Sequence, residues 1–288
     1  MQILFHLGAH CTDEGLLIRS ILKNRAQLAK DGIGVPGPSR YRELLGEAST
    51  SLRGEPADDD TETSILEAIR DDETAERIVL SSDNFLCRAN VVLGSDGLYP
   101  KAQKSAWLRQ CVPSHEVEFA IAIRNPATLV PALLRQNGED EEALDDVPIT
   151  DLLWSEVIAD ITVANPDTRI FVWCHEDTPF IWSEIVREIT GHDVFTEIDG
   201  EFDMLERIMT PEGMTRLTDF LNAREVTSQS KRRRAVSAFL EAHAIESAVE
   251  EEIDLPGWTD ETVRMLSELY EEDVHRLAQM PNVTLITP

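Results

Sequence analysis

Short runs of apolar residues alternate with longer amphipathic stretches along the chain. Ile3-Leu4-Phe5-His6-Leu7 stops at Gly8, and Arg77-Ile78-Val79-Leu80 stops at Ser81-Ser82-Asp83. Val117 to Ile123 stops at Arg124-Asn125-Pro126, and Arg169 to Cys174 stops at His175-Glu176-Asp177. Such runs predict buried strands, and Val283 to Ile286 predicts a last one. Between them the spacing turns helical. Thr12 offers an N-cap with Asp13 and Glu14 in the first turn, and Leu16, Leu17, Ile21 and Leu28 then recur at helical intervals to about Lys30. Further helices are predicted over Tyr41 to Ala48, Lys101 to Gln110, following Arg124-Asn125-Pro126 to about Gln136, over Ile149 to Val163, and from Thr178-Pro179 to about Ile189. Gly32 to Pro38 reads as a breaker-rich connection, residues 54–63 as a polar acidic loop or helix lead-in, and Gly138 to Asp146 as an exposed acidic stretch. From Phe202 onward the pattern is mostly helical, broken at Pro256-Gly257. There is no internal repeat.

Strands separated by helices and long connections predict an α/β fold, with a mainly parallel sheet flanked by helices. The 288 residues read as one such domain with a mostly helical portion from about residue 200. In such sheets ligands bind outside the C-terminal strand ends. Four ends supply polar groups: His10-Cys11-Thr12, Ser81-Ser82-Asp83, Arg124-Asn125 and His175-Glu176-Asp177. If these strands are neighbours, the groups converge on one cleft.

Charge narrows the field of partners. The formal net charge is −28 and 42% of residues are hydrophobic, enough for a sizeable core. A general nucleic-acid binder needs a basic face, and an anionic membrane surface attracts basic segments, so neither partner is expected. No run of about 18 apolar residues predicts a transmembrane helix, and MQILFHLGAH lacks the regions of a signal peptide. Cys11, Cys87, Cys111 and Cys174 are widely spaced without a CxxC pair, which argues against a disulfide framework and for a reducing, cytoplasmic compartment. The acid excess is uneven. Residues 1–50 hold six basic and five acidic residues, net +1, which leaves −29 on the rest. The first element and its loop are the place least hostile to an anion.

The strand followed by HLGAHCTDEGLL and a helix resembles the sulfotransferase branch of the P-loop fold, whose bacterial members carry a pattern similar to FHIGxxKTGTT. Phe5-His6-Leu7-Gly8 fits its start, Arg124-Asn125-Pro126 resembles the R-(D/N)-P opening of the second element, Ser81-Ser82-Asp83 resembles an SSE after a strand, and Leu269-Tyr270-Glu271-Glu272-Asp273 resembles the terminal helix. The resemblance implies 3′-phosphoadenosine 5′-phosphosulfate as donor and a hydroxyl or amine on a small molecule as acceptor. The backbone of Gly8, Ala9, His10, Cys11 and Thr12 would cradle the 5′-phosphate, Arg124 would hold the 3′-phosphate, and Asp83 or His175 would serve as acceptor base.

The departures from the family pattern bear on that activity. Cys11 stands where the family has its loop lysine, Asp13 at a glycine, Glu14 at a hydroxyl residue, Leu129 at an arginine and Ala132 at a serine. A helix N-terminus with about +0.5 charge and free amides receives phosphate. Here Thr12, Asp13 and Glu14 can satisfy that end themselves. Each carboxylate at about 4 Å from a phosphate opposes it by on the order of 4 kcal/mol at an effective dielectric near 20. Two states are compatible with the sequence: a sulfuryl transferase, or an inactive or repurposed member that binds another small molecule or a protein partner in the same cleft. A P-loop kinase is disfavoured because no GxxxxGK[ST] occurs. The acceptor and the oligomeric state are left open.

Other constellations have plainer readings. His6, His10 and Cys11 with Asp83, His175 and Asp177 have zinc-ligand chemistry, but HxxxH across a strand and loop does not set both rings on one face, and no metal is expected. Cys11 as a nucleophile is opposed by Asp13 and Glu14. His175 to Pro179 offers a general acid or base, or a helix cap at Asp177 or Thr178. Lys231-Arg232-Arg233-Arg234 is the one dense basic run, either a donor contact or a solvated, acid-pairing helix face. Trp154, Trp173 and Trp182 fit core packing.

Overall fold

The apolar runs form strands because each buries both faces between helices. In the computed structural model, which describes the chain apart from residues 71–73, 140, 193–195, 224–227, 250–252 and 254, the strands are β1 (Gln2–His6), β2 (Ile33–Gly34), β3 (Arg77–Ser81), a small hairpin β4 (Leu93–Gly94) and β5 (Gly97–Leu98), β6 (Glu116–Ile123), β7 (Arg169–Cys174) and β8 (Val283–Ile286). All but the hairpin join one six-stranded sheet in the order β2-β3-β1-β6-β7-β8, with every pairing parallel. The helices are α1 (Leu16–Lys23), α2 (Arg25–Lys30), α3 (Arg42–Leu52), α4 (Asp59–Ile69), α5 (Ser105–Gln110), α6 (Pro126–Asn137), α7 (Trp154–Ala164), α8 (Thr178–Thr190), α9 (Asp203–Ile208), α10 (Pro211–Ala223), α11 (Gln229–His243), α12 (Glu246–Val249) and α13 (Asp260–Leu277). No helix among the described residues is long and apolar enough to cross a membrane.

Alternation along the strands divides the core in two. Ile3, Phe5, Ile78, Leu80, Phe119 and Ile121 pack on one face against α3, α4, α6 and α7, through Leu45, Ile65, Leu133 and Ile158. Leu4, Val79, Ala120, Ala122, Phe171 and Trp173 pack on the other against α1 and α8, through Ile21 and Ile185. Each fully buried side chain of this size contributes about 1.5–3 kcal/mol. This is the expected α/β arrangement. The helices from α9 to α11 close a smaller apolar cluster of their own around Leu205, Met209, Leu217 and Val236.

Three sequence expectations change. The breaker-rich segment contains β2, a two-residue strand that exists through its partner: Gly32 O accepts from the amides of Glu76 and Arg77 at 2.8 and 3.2 Å. Two residues are too short to show a period. The first helix starts later than Thr12. Gly15 is its N-cap, in the left-handed region at φ 72°, and Thr12 turns back to donate to Ala9 O at 2.7 Å. That helix also divides at Asn24, whose side chain donates to Ser20 O and to Asp199 O. The helix expected over Ile149 to Val163 begins at Trp154, and its start is capped from a distance: buried Asp273 of α13 accepts from the Ser155 amide at 2.9 Å and from the Ser155 hydroxyl.

Several charged groups inside the fold form ion pairs. Glu118, 4% exposed, meets Arg77 at 2.9 Å and Arg169 at 3.6 Å. Asp203 of α9 takes Lys23 and Ser20 of α1 at 2.6 and 2.5 Å. In the basic run, Arg232 meets Glu201 at 2.8 Å and stacks over Phe202, and Arg233 meets Glu184 of α8 at 3.0 Å. Two of its four cations therefore do the acid pairing expected of such a helix face.

Candidate functional site

β1 has β3 on one side and β6 on the other, so the chain leaves it in opposite directions and opens a crevice beyond its C-terminal end. A cleft of about 690 Å³ lies there. Of the sequence candidates, Gly8, Ala9, Cys11, Asp83 and Arg124 line it together.

Gly8 begins the loop. Its φ is +104°, and a Cβ there would lie 3.2 Å from Asp83 Cα and 3.3 Å from the His10 nitrogen. Both the conformation and the approach of two backbones require glycine. Gly8→Ala is expected to cost about 1–3 kcal/mol, the usual price of a disfavoured backbone region. Urea unfolding checks this, and an unchanged midpoint would contradict it.

The next residues spend the loop's donors on the protein. The Ala9 amide donates to Ala122 O at 3.2 Å, and the His10 amide donates to Tyr99 Oη at 3.0 Å. The His10 ring follows its amide. Nδ1 lies 3.0 Å from Tyr99 Oη, Nε2 lies 3.4 Å from Asn84 Oδ1, and the ring stacks on Tyr99. His10 and Thr12 thus fall outside the cleft lining. Asp13 Oδ2 accepts from the Leu17 amide at 2.7 Å, so a carboxylate already caps the helix end that would meet an incoming anion. Glu14 is exposed at φ 51° and pairs with Arg207 at 3.7 Å.

Arg124 is 9% exposed and holds the loop from the other side. Its Nε donates to Thr128 Oγ1 at 3.0 Å, and its Nη1 donates to Cys11 O. Trp154 Nε1 donates to Arg124 O at 2.8 Å. Asn125 is fixed by the terminal helix: its Nδ2 donates to Ser267 Oγ at 2.9 Å, and its amide donates to Glu176 Oε1 at 2.8 Å. Tyr270 in turn donates to Glu176 Oε2 at 3.0 Å. Two short motifs singled out in the sequence are thereby one mechanical unit, in which α13 positions the Arg124 turn.

His175 lies in a turn at the end of β7 and is not among the residues lining the cleft. The sheet order explains this, since β6 separates β7 from β1. Of the two family positions on α6, Leu129 is fully buried in the core while Ala132 faces the cleft. Arg135 and Gln136 stand about one turn further along the same face. Cys11 Sγ donates to Gln136 Oε1 at 2.9 Å, and burial pushes its thiol up to about 11 against the opposing pull of Arg124, so it stays protonated at neutral pH. Among the described residues no group of three His, Cys, Asp or Glu is placed to hold a metal ion.

The structure adds residues that the sequence did not single out. Arg19, Arg42 and Arg135 join Arg124 around the cleft, which Asp13, Glu14 and Asp83 also line. They come from α1, α3 and α6, so only the crossovers bring them together. For Arg19 and Arg42 the near-neutral first fifty residues were the one trace in the sequence; Arg135 left none. His6 packs in the sheet as expected, stacked on Trp173, but it also reaches the cleft floor. Its Nδ1 lies 2.9 Å from Ser81 Oγ, while the buried Nε2 has no hydrogen-bond partner among the described residues.

Burial holds both imidazoles below the ordinary histidine value, opposed at His6 mainly by Asp13 and at His10 mainly by Asp83. Below about pH 6.5 the unfolded chain takes up these protons and the folded chain does not. Stability therefore falls as pH drops through that value toward the folded pKa. In unfolding titrations on both sides of pH 6.5, a His6→Gln/His10→Gln variant is expected to show a shallower pH slope than the parent. Equal slopes would refute this.

No family model matches the chain, and no curated protein matches it. Among solved structures the chain is similar to a sulfotransferase from Alicyclobacillus acidocaldarius, with a TM-score of 0.40 and 14% identity over 83% of this chain and 94% of that one.

Proposed function

We propose that the cleft binds an anionic nucleotide of the 3′-phosphoadenosine 5′-phosphosulfate type and that the chain is a sulfuryl transferase. One observation carries this reading: Arg19, Arg42, Arg124 and Arg135 gather at the switch-point crevice of a chain whose net charge is −28. Four guanidinium groups suit phosphate oxygens, which they meet with paired donors. The donor supplies a sulfuryl group that passes to an acceptor oxygen or nitrogen, leaving the nucleotide as its bisphosphate. Arg124 and Arg135 hold the phosphates, Gly8 keeps the loop clear of Asp83, and Asp83 takes the acceptor's proton. His175 is not among the residues lining the cleft, whereas His6 is one of several titratable side chains that line it.

A second reading rests on a separate observation. The Ala9 and His10 amides and the helix end at Leu17 already have partners inside the chain. The arginine side of the cleft fits an anion and the loop side does not. Under this reading the fold is kept and the cleft serves a different small anion. Calorimetry with 3′-phosphoadenosine 5′-phosphate separates the two. Transferase function requires binding that Arg135→Ala weakens while unfolding stays unchanged. No binding at millimolar nucleotide would end the first reading.

A further inference from the structure

A second groove of about 1410 Å³ opens beside the cleft and shares Arg42 and Gln136 with it. Its charge is opposite to that of the chain. Arg53 ends α3, Arg88 precedes the turn at Ala89–Val91, and Lys101 and Lys104 bracket the turn leading to α5. With Arg42 these make five cations against two acids, Glu43 and Glu47, in a chain with twice as many acids as bases.

These cations also lack the partners found elsewhere. Lys23, Arg216, Arg232 and Arg233 all meet carboxylates at 2.6–3.0 Å. Among the described residues the side chains of Arg53, Arg88 and Lys101 form no ion pair or hydrogen bond, and Lys104 rests over the Trp107 ring at 4.4 Å. Like charges left together on one groove repel one another, and an anion that enters the groove relieves that repulsion.

The net charge of −28 limits the size of that anion. Fields are screened beyond about 8 Å at physiological salt. A short ligand held in the groove feels the local cations, whereas a long nucleic acid extends over the acidic surface. The side chains of Ser51 and Asn90 also line the groove and make no hydrogen bond among the described residues, which suits a ligand rich in hydroxyls.

We propose that this groove binds a short anionic sugar, with its negative groups on Arg53, Arg88 and Lys101 and one end at Arg42 beside the cleft. Its role as the acceptor rests on the transferase reading, but its binding does not. Calorimetry on the full chain with a galacturonate hexamer, a sugar bisphosphate and neutral maltohexaose tests it, at low and at physiological salt. At least one anionic sugar should bind, more weakly as salt rises, and maltohexaose should not. The hexamer and the bisphosphate tell a carboxylate ligand from a phosphate one. Arg53→Glu/Arg88→Glu/Lys101→Glu should weaken binding by at least about tenfold, and Glu43→Gln/Glu47→Gln should tighten it. The substituted side chains are exposed, and a thermal melt verifies that each variant is folded. Absence of binding by both anionic sugars, equal binding of maltohexaose, or unchanged affinity in the triple variant would overturn the proposal. So would tighter binding of single-stranded DNA through the same residues. Nucleotide binding is measured on the same samples. Sugar binding without nucleotide binding would refute the transferase reading alone, and the reverse would refute the groove alone.

Discussion

Arg77→Met is expected to destabilise the fold by about 3–5 kcal/mol, because it strands a buried carboxylate. Glu118 sits near the start of β6, 4% exposed, and Arg77 of β3 reaches it at 2.9 Å across β1. The Arg77 side chain is itself 11% exposed and also donates from Nε to Ile189 O at 3.0 Å, so it ties the sheet to the end of α8. Arg169, 3.6 Å away on a side chain 62% exposed, is too solvated to take over. Thermal unfolding should show a midpoint lower by roughly 10 °C, at 2–4 °C per kcal/mol for a domain somewhat smaller than this one. The double variant Arg77→Met/Glu118→Leu should recover most of the loss, since replacing both partners removes the unpaired charge. A single variant within 1 kcal/mol of the parent, about the value of an exposed pair, would show that Arg169 suffices.

On the transferase reading, replacing Cys11, Asp13 and Glu14 in the loop after β1 is expected to raise affinity for 3′-phosphoadenosine 5′-phosphate by at least about 100-fold, or 2.7 kcal/mol. Cys11→Lys supplies a cation where the thiol is now neutral. Asp13→Gly frees the Leu17 amide and removes a carboxylate, and replacing Glu14 removes another. Each removed charge relieves on the order of 4 kcal/mol before salt and motion soften it. The backbone decides the third substitution. Glu14 lies at φ 51°, a region that β-branched residues avoid, so Glu14→Asn is compatible where the family's threonine is not. Loss of the Asp13 cap costs about 1 kcal/mol of stability, which unfolding should register independently. Equal nucleotide affinity in parent and triple variant would show that the two carboxylates do not set anion binding in this loop.

The strands were legible because their signal is local. Ile3 to Leu7, Arg77 to Leu80, Val117 to Ile123 and Arg169 to Cys174 are apolar on both faces, and only the interior of a covered parallel sheet takes such runs. β2 was not legible, because two residues pair only when β3 is already beside them. Helix starts at Thr12 and Ile149 were misplaced for a related reason. Gly15 in a left-handed conformation begins one helix, and Asp273, more than a hundred residues away, caps the other.

The site divides along the same line. The residues at strand ends, Gly8, Asp83 and Arg124, follow from the sequence because a strand's end is where its apolar run stops, and parallel strands put those ends on one side. Strand order is not written in any local pattern. It places β7 outside β6, and so it takes His175 away from the cleft while bringing Arg19, Arg42 and Arg135 to it. The side-chain direction of His10 is likewise a tertiary matter, since Tyr99 and Asn84 turn the ring aside. From the sequence alone the chain is an acidic α/β protein whose first loop resembles an anion loop with altered residues. Packing across the sheet decides where its cations gather, because arginines from α1, α3 and α6 meet only when the crossovers close.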